Sequence, residues 1–331
     1  MSAEAGIADG PGFRDRKVGL VVFGALEILM GVFLAFLAPM ALAGALLQSS
    51  VNDGAGALPL SFTAASMLLY AALAAVFIWL GIGSILARRW ARALWLVLSW
   101  VWLASGVLGL AFMLVFLPDL YDRMADAGQA PRAIFAVMKW ITIGFMGVFY
   151  VLVPGAMTVL YGSRHVRATC EARDPRPRWT DRCPLPVLGL SLFSGVAAAS
   201  LLMTGFYGWT VPFFGTILTG LSGAVVAVAS AGLLAWSARG AYLLRRSAWW
   251  CLAGLFAAWG ASALVTFSRV PLLDFYESMR FPPEQIEMMR SLQVFNGTGI
   301  VAFQALSLAL ALAYLLYTRR FFAAAARPAG A

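Results

Sequence analysis

Glu27 is the residue of this chain with the most chemistry to offer. It lies about ten residues into an uninterrupted apolar run, 18–47. If the run is a membrane-crossing helix rising ~1.5 Å per residue, the carboxyl group falls near the middle of the bilayer. A charge at that depth costs ~2.5–3.5 kcal/mol or more, so an ionisable group there is a functional-site hypothesis in its own right. Gln304, deep in the apolar run 291–317, is the expected hydrogen-bond partner. Two readings follow. Glu27 carries a proton, an ion or a substrate, or it is a neutral acid satisfied by a neighbouring helix.

A second set of acids lies outside the apolar runs. Asp119-Leu120-Tyr121-Asp122-Arg123-Met124 and Asp274-Phe275-Tyr276-Glu277-Ser278-Met279 share one pattern. Asp119 and Asp274 are expected to cap short helices on the membrane surface, with the Tyr and Met side chains dipping into the interface. Asp119, Asp122, Asp274 and Glu277 could then ring an external mouth that attracts cations. The plainer reading is a pair of solvated interfacial helices.

His165, Cys170 and Cys183 fall in one polar stretch, Tyr161 to Pro186. Thiolates and an imidazole are zinc ligands, but a closed structural site takes four at regular spacing. Three at irregular spacing, with no CxxC pair, predict no metal. A single histidine in the chain excludes bis-histidine haem within the membrane. GxxxxGK[ST], HExxH, GxSxG and a GxGxxG following a strand are all missing from the sequence, so it offers no phosphate loop, zinc-protease helix or nucleophile elbow. The expectation is no cofactor and no enzyme activity.

The elements that must position these residues are apolar helices. Of 331 residues 62% are hydrophobic and only 12% charged, against about a quarter charged in a soluble domain. Mean hydropathy is +0.84. Eight runs predict spans at about 18–47, 60–87, 93–117, 134–161, 185–208, 212–237, 247–267 and 291–317. The first follows Arg14-Asp15-Arg16-Lys17 and contains Ala41-Leu42-Ala43, as a cleaved leader would. It is twice as long as a leader's apolar core, so an uncleaved helix bent at Pro39 is expected.

The net charge of +9 does not point to nucleic acid, because the basic residues sit in short clusters between the runs. With the N-terminus inside, 18 of the 24 Lys and Arg fall on one side. The positive-inside rule then puts both termini in the cytoplasm and the protein in the cell's inner membrane. Trp90, Trp95, Trp140 and Trp179 lie near span ends, where interfacial aromatic anchors sit. In that reducing compartment Cys170 and Cys183 stay unpaired. The basic turns and the Pro-rich linker would face anionic lipid head groups, with Trp179 as anchor. The linker's four prolines, Pro175, Pro177, Pro184 and Pro186, prevent a continuous helix.

The chain also repeats itself. Arg88-Arg89-Trp90-Ala91 returns as Arg245-Arg246-Ser247-Ala248 at a lag of 157, and Trp102 falls on Trp259 at the same lag. The two acidic segments match at 155, Leu160-Tyr161 and Arg164 match Leu316-Tyr317 and Arg320 at 156, and Val18-Gly19-Leu20 echoes Leu188-Gly189-Leu190 at 170. The larger lag is absorbed by a longer first external loop near Gln48 to Pro59. At Glu27 the match is broken, since Ala197 stands opposite. An even number of spans per copy keeps both copies in one orientation.

The expected fold is therefore an all-α integral membrane protein of eight transmembrane helices, arranged as two parallel four-helix repeats. A cytoplasmic tail, 1–17, precedes the first unit, 18–161. The cytoplasmic linker, 162–184, joins it to the second unit, 185–317, and a cytoplasmic tail, 318–331, follows. The function this predicts is a non-catalytic assembly, scaffold or sensory component. The alternative is a transporter or channel for protons, ions or a small solute that uses Glu27. No protein partner is legible.

Overall fold

The computed structural model describes residues 14–51, 59–126, 131–291 and 297–324. Eight helices in it are long and apolar enough to cross a membrane, and helix accounts for 87% of the structure. The eight are α1 (Lys17–Val51), α2 (Leu60–Ile85), α3 (Arg89–Asp126), α4 (Arg132–Gly147) continued by α5 (Val153–Gly162), α7 (Leu185–Met203), α8 (Gly220–Tyr242), α9 (Arg246–Arg269) and α12 (Gly297–Ala324). Shorter helices fill the connections: α6 (Arg164–Arg173), α10 (Leu272–Ser278) and α11 (Pro283–Ser291). Residues 52–58 of the expected first loop, and the outer parts of both tails, lie outside the described residues.

The long helices are hydrophobic all round, as a helix must be when one face meets protein and the other lipid. Leu29, Phe33, Phe36 and Leu47 of α1 point outward. Only 6% of the apolar stretch of α12 is buried against protein. An apolar surface on that scale has no place in water, and it makes this a multi-pass membrane protein.

Close packing is set by small residues. Gly24 and Gly31 of α1 lie one heptad apart, as do Ala74 and Gly81 of α2. A Cβ on Gly24 would come within 2.7 Å of the Gly81 carbonyl oxygen, and one on Gly31 within 3.0 Å of the Ala74 carbonyl oxygen. The two backbones therefore touch along an antiparallel seam, the approach that glycine permits. Between α4 and α5, Val148–Leu152 forms a π-helical turn. It brings the Tyr150 carbonyl against Gly106 of α3, where a Cβ would lie 1.9 Å away.

Three boundaries differ from the sequence expectation. First, the sixth span starts at Gly220 rather than 212. Residues 211–218 form a hairpin instead, β1 (Val211–Phe213) against β2 (Thr216–Leu218), with Val211 opposite Leu218. Phe214 and Gly215 turn it with φ of 41° and 96°, the mirror-image turn that suits a two-residue hairpin. The turn is tied down from α9. Ser262 Oγ accepts from Phe214 N and donates to the Pro212 carbonyl, both at 3.0 Å. Thr266 Oγ1 accepts from Gly215 N at 3.0 Å. Second, α3 continues through Pro118 to Asp126, so Asp119 sits inside a helix and caps none. Third, the cap position of α10 is held by Pro271, with Asp274 in the first turn. Pro39 likewise lies inside α1 without ending it.

The bundle has two distinct ends. At one end Arg173 meets Asp15 at 2.7 Å, Arg88 meets Asp174 at 3.8 Å, and Tyr242 donates to the Trp179 carbonyl at 2.8 Å. Arg246 reaches the Phe322 carbonyl there too. The start of α1, the α2–α3 turn, the 162–184 stretch, the α8–α9 turn and the end of α12 thus share this end. At the other, Phe62 packs edge-on to Tyr207 and Phe281, and Thr210 donates to the Ser278 carbonyl.

The two basic turns have the same backbone geometry. Ala87 and Leu244, 157 residues apart, both take the left-handed conformation, with φ of 50° and 56°. Arg88 N donates to the Gly83 carbonyl and Arg245 N to the Gly240 carbonyl, both at 2.9 Å. Gly83 is pressed against the Ala91 methyl and Gly240 against the Ala248 methyl. These are Schellman-type helix ends, closed by the same kinds of residue at the same spacing.

Candidate functional site

Glu27 is 1% exposed. It sits among the ends of α2 and α5 and the start of α3, all brought together by the basic end of the bundle. Tyr161 donates its hydroxyl to Glu27 Oε1 at 2.5 Å. Ser84 Oγ lies 2.8 Å from the Tyr161 oxygen. Since Tyr161 gives its proton to the carboxyl, Ser84 is the donor in that second bond. Trp95 turns its indole N–H toward the same carboxyl without completing a hydrogen bond. Glu27 Oε2 is buried and has no partner among the protein's groups.

Apolar side chains seal the group. Leu20, Phe77, Leu80, Met157 and Val166 close around Trp95 and Tyr161 in one buried cluster. Phe77 meets Trp95 edge-on at 5.2 Å, and Trp95 lies parallel to Tyr161 at 6.2 Å. Burying a carboxyl group is costly unless it is hydrogen-bonded, and here Tyr161 of α5 supplies the bond across 134 residues of sequence, itself held by Ser84 of α2.

Glu27 therefore faces protein, and its hydrogen-bond partner is Tyr161 rather than Gln304. Arg16 N donates to Thr169 of α6 at 3.0 Å, so the first turns of α1 stand beside the linker helix. Glu27 meets Tyr161, and through it Ser84, each one residue from the end of its helix. Gln304 belongs elsewhere. It is half-buried in α12, where its neighbour Phe303 packs on Phe112, and its amide oxygen is buried without a partner. Trp95, expected as an interfacial anchor, is fully buried, whereas Trp140 is 68% exposed. The signal that could have found Tyr161 was its own position. A tyrosine three residues inside the basic end of a span needs a partner for its hydroxyl when it turns inward.

The external acids Asp119, Asp122, Asp274 and Glu277 are all exposed. Glu277 is engaged by Arg290 at 2.8 Å.

The linker is more built than its prolines suggest. Ser163 caps α6 by accepting from His165 N. Asp174, almost fully buried, takes a two-pronged bond from Arg178 and one from Arg89 N, and the Arg178 bond holds its carboxyl below the usual carboxylate range. Arg167 does the same for Glu171. Asp181 pairs with Arg89 at 3.3 Å. Several linker cations are thus neutralised inside the protein and not left for lipid. Among the described residues no three His, Cys, Asp or Glu side chains gather as a metal site.

Cys170 and Cys183 are free and buried, and burial pushes both thiols up to about 11. The thiolate is the reactive form, and a pKa of about 11 against an ordinary 9.0 leaves about 100-fold less of it at neutral pH. Both thiols are therefore expected to resist maleimide in the folded protein and to react on denaturation. Prompt labelling of native protein at neutral pH, read by mass spectrometry, would contradict that burial.

Comparison with known proteins gives no match, whether among family models, curated proteins or solved structures.

Proposed function

We propose that this chain is a non-catalytic multi-pass component of the cell membrane, serving assembly, scaffolding or sensing. The observation that carries the reading is the sealed carboxyl of Glu27. It is spent on Tyr161 and enclosed by Leu20, Phe77, Leu80 and Met157, an arrangement that pins three helices rather than passing a solute. A transporting carboxyl needs access to water from each side in turn.

The same reading includes two parallel four-helix repeats. The recurrence of the Ala87 and Leu244 turns at a constant lag supports it, as does the order of pairing: α1 on α2 and α3 on α4–α5 in one half, α7 on α8 and α9 on α12 in the other. Both termini and the linker are assigned to the cytoplasm, in keeping with the basic segments gathered at one end. Arg245, Arg246, Arg319 and Arg320 are exposed there and are placed to meet anionic head groups.

The direct test is proton flux. Proteoliposomes holding wild type or Glu27→Gln, loaded with a pH-sensitive dye, are expected to leak protons equally slowly under an imposed pH gradient. Flux in the wild type that Glu27→Gln abolishes, with insertion intact, would establish transport instead. Sidedness is read from Arg176→Cys, an exposed linker position, in a Cys251→Ser background. An impermeant thiol reagent should reach it only in inverted vesicles.

A further inference from the structure

The linker and the start of α3 line a half-open cavity of about 310 Å³ beside the start of α7. Its polar lining includes Arg89, Arg92 and Arg167 against Glu171 and Asp181. Arg89 is engaged by Asp181 at 3.3 Å and Glu171 at 3.8 Å, and Arg167 by Glu171 at 2.9 Å. That leaves Arg92, whose Nε is buried without a hydrogen-bond partner. Thr180 also lines the cavity. It is 4% exposed, and its hydroxyl is likewise buried without a partner. Cys170 and Cys183 complete the wall. With both thiols pushed up to about 11 by burial, neither supplies a negative charge at neutral pH.

We propose that this pocket binds one phosphate group. Glu171 and Asp181 act on Arg92 only from a distance, each being engaged by another arginine, and the Arg92 Nε and the Thr180 hydroxyl, set on one cavity without acceptors, call for a ligand with one negative charge and several acceptor oxygens. A phosphate offers both, and arginine is the side chain suited to it. The pocket lies where the apolar helices α3 and α7 begin, so a lipid phosphodiester and a soluble phosphate can both supply the group. This goes beyond the attraction of exposed basic turns to head groups. It is a single half-open cleft, and the proposal stands whether or not the scaffold reading does.

The test uses the full chain in neutral detergent, followed by thermal melting and native mass spectrometry. Phosphatidylglycerol, phosphatidylcholine and inorganic phosphate are added separately. The expected result is saturable one-to-one binding of phosphatidylglycerol, inorganic phosphate or both, weakened about 10- to 100-fold in Arg92→Gln and in the near-isosteric Thr180→Val. Arg239→Gln, exposed in the last turn of α8 at the same end but outside the pocket, should bind as wild type does. Binding of phosphatidylglycerol alone assigns the site to a lipid head group, and binding of inorganic phosphate assigns it to a soluble one. Should Arg92→Gln fail to fold, Thr180→Val carries the comparison. The proposal is overturned if neither phosphatidylglycerol nor inorganic phosphate binds one-to-one, or if Thr180→Val and Arg92→Gln bind as tightly as wild type.

Discussion

Gly24→Leu is expected to keep the protein from reaching a folded, monodisperse state, while Gly44→Leu in the same helix leaves it unchanged. The two substitutions add the same side chain to α1, and each replaces a glycine with a better helix former. They differ in what the new atoms meet. At Gly24 a Cβ alone would lie 2.7 Å from the Gly81 carbonyl oxygen and 3.0 Å from Ile85 N, whereas at Gly44 nothing lies within 4 Å. The obstacle at Gly24 is backbone on both sides, which no rotamer change relieves, so α1 must lift off α2. Losing the most intimate helix pair in the bundle falls in the class of damage that costs more than ~4–5 kcal/mol. Size-exclusion profiles and melting curves of the two variants decide it. Similar profiles for both would mean that the seam does not hold these helices together.

Glu27→Ala is the second large effect. It removes the acceptor for Tyr161, leaves that hydroxyl with Ser84 as its remaining partner, and opens a cavity among Trp95, Phe77 and Leu80. The lost buried hydrogen bond costs ~0.5–1.5 kcal/mol and the void adds to it, for an expected loss of ~3–5 kcal/mol. Glu27→Gln keeps an acceptor oxygen at nearly the same place and should cost about 1 kcal/mol or less. Tyr161→Phe strips the hydroxyl from between Glu27 and Ser84 and should fall between the two. The double variant Glu27→Gln with Tyr161→Phe should be less damaging than the sum of the singles, because the two groups act through one bond. Thermal melts followed by tryptophan fluorescence supply all four values. An Ala variant as stable as the Gln variant would show that the bond carries no stability.

The eight spans were legible because a span is specified by composition over ~20 residues, and every one of these runs meets that length. The hairpin at 211–218 was hidden by the same rule. Val211, Phe213, Ile217 and Leu218 are as apolar as a span, and Pro212 reads equally well as a helix start. What makes it a hairpin is the pair of hydroxyls on α9, Ser262 and Thr266, some fifty residues on. Glu27 stood out from the sequence as a buried acid, but its partner did not. Tyr161 served in the sequence only as a marker of the repeat, and long-range pairing leaves no periodic trace. The linker pocket was invisible because Arg89, Arg92 and Thr180 converge only once the chain has passed through two spans and back.

The pairing of α1 with α2 and of α7 with α8 bears on how the protein is made. Each pair joins consecutive spans, so its contacts are complete as soon as the second helix has been synthesised. The glycine seam of the first pair needs nothing downstream, and a pair already zipped can leave the insertion machinery as one unit. The carboxyl of Glu27 has to wait longer. Its hydrogen-bond donor is the last turn of α5, so through the synthesis of α3 and α4 the nascent chain holds a buried acid with no Tyr161 to meet it. That interval is when the growing chain is most exposed to quality control.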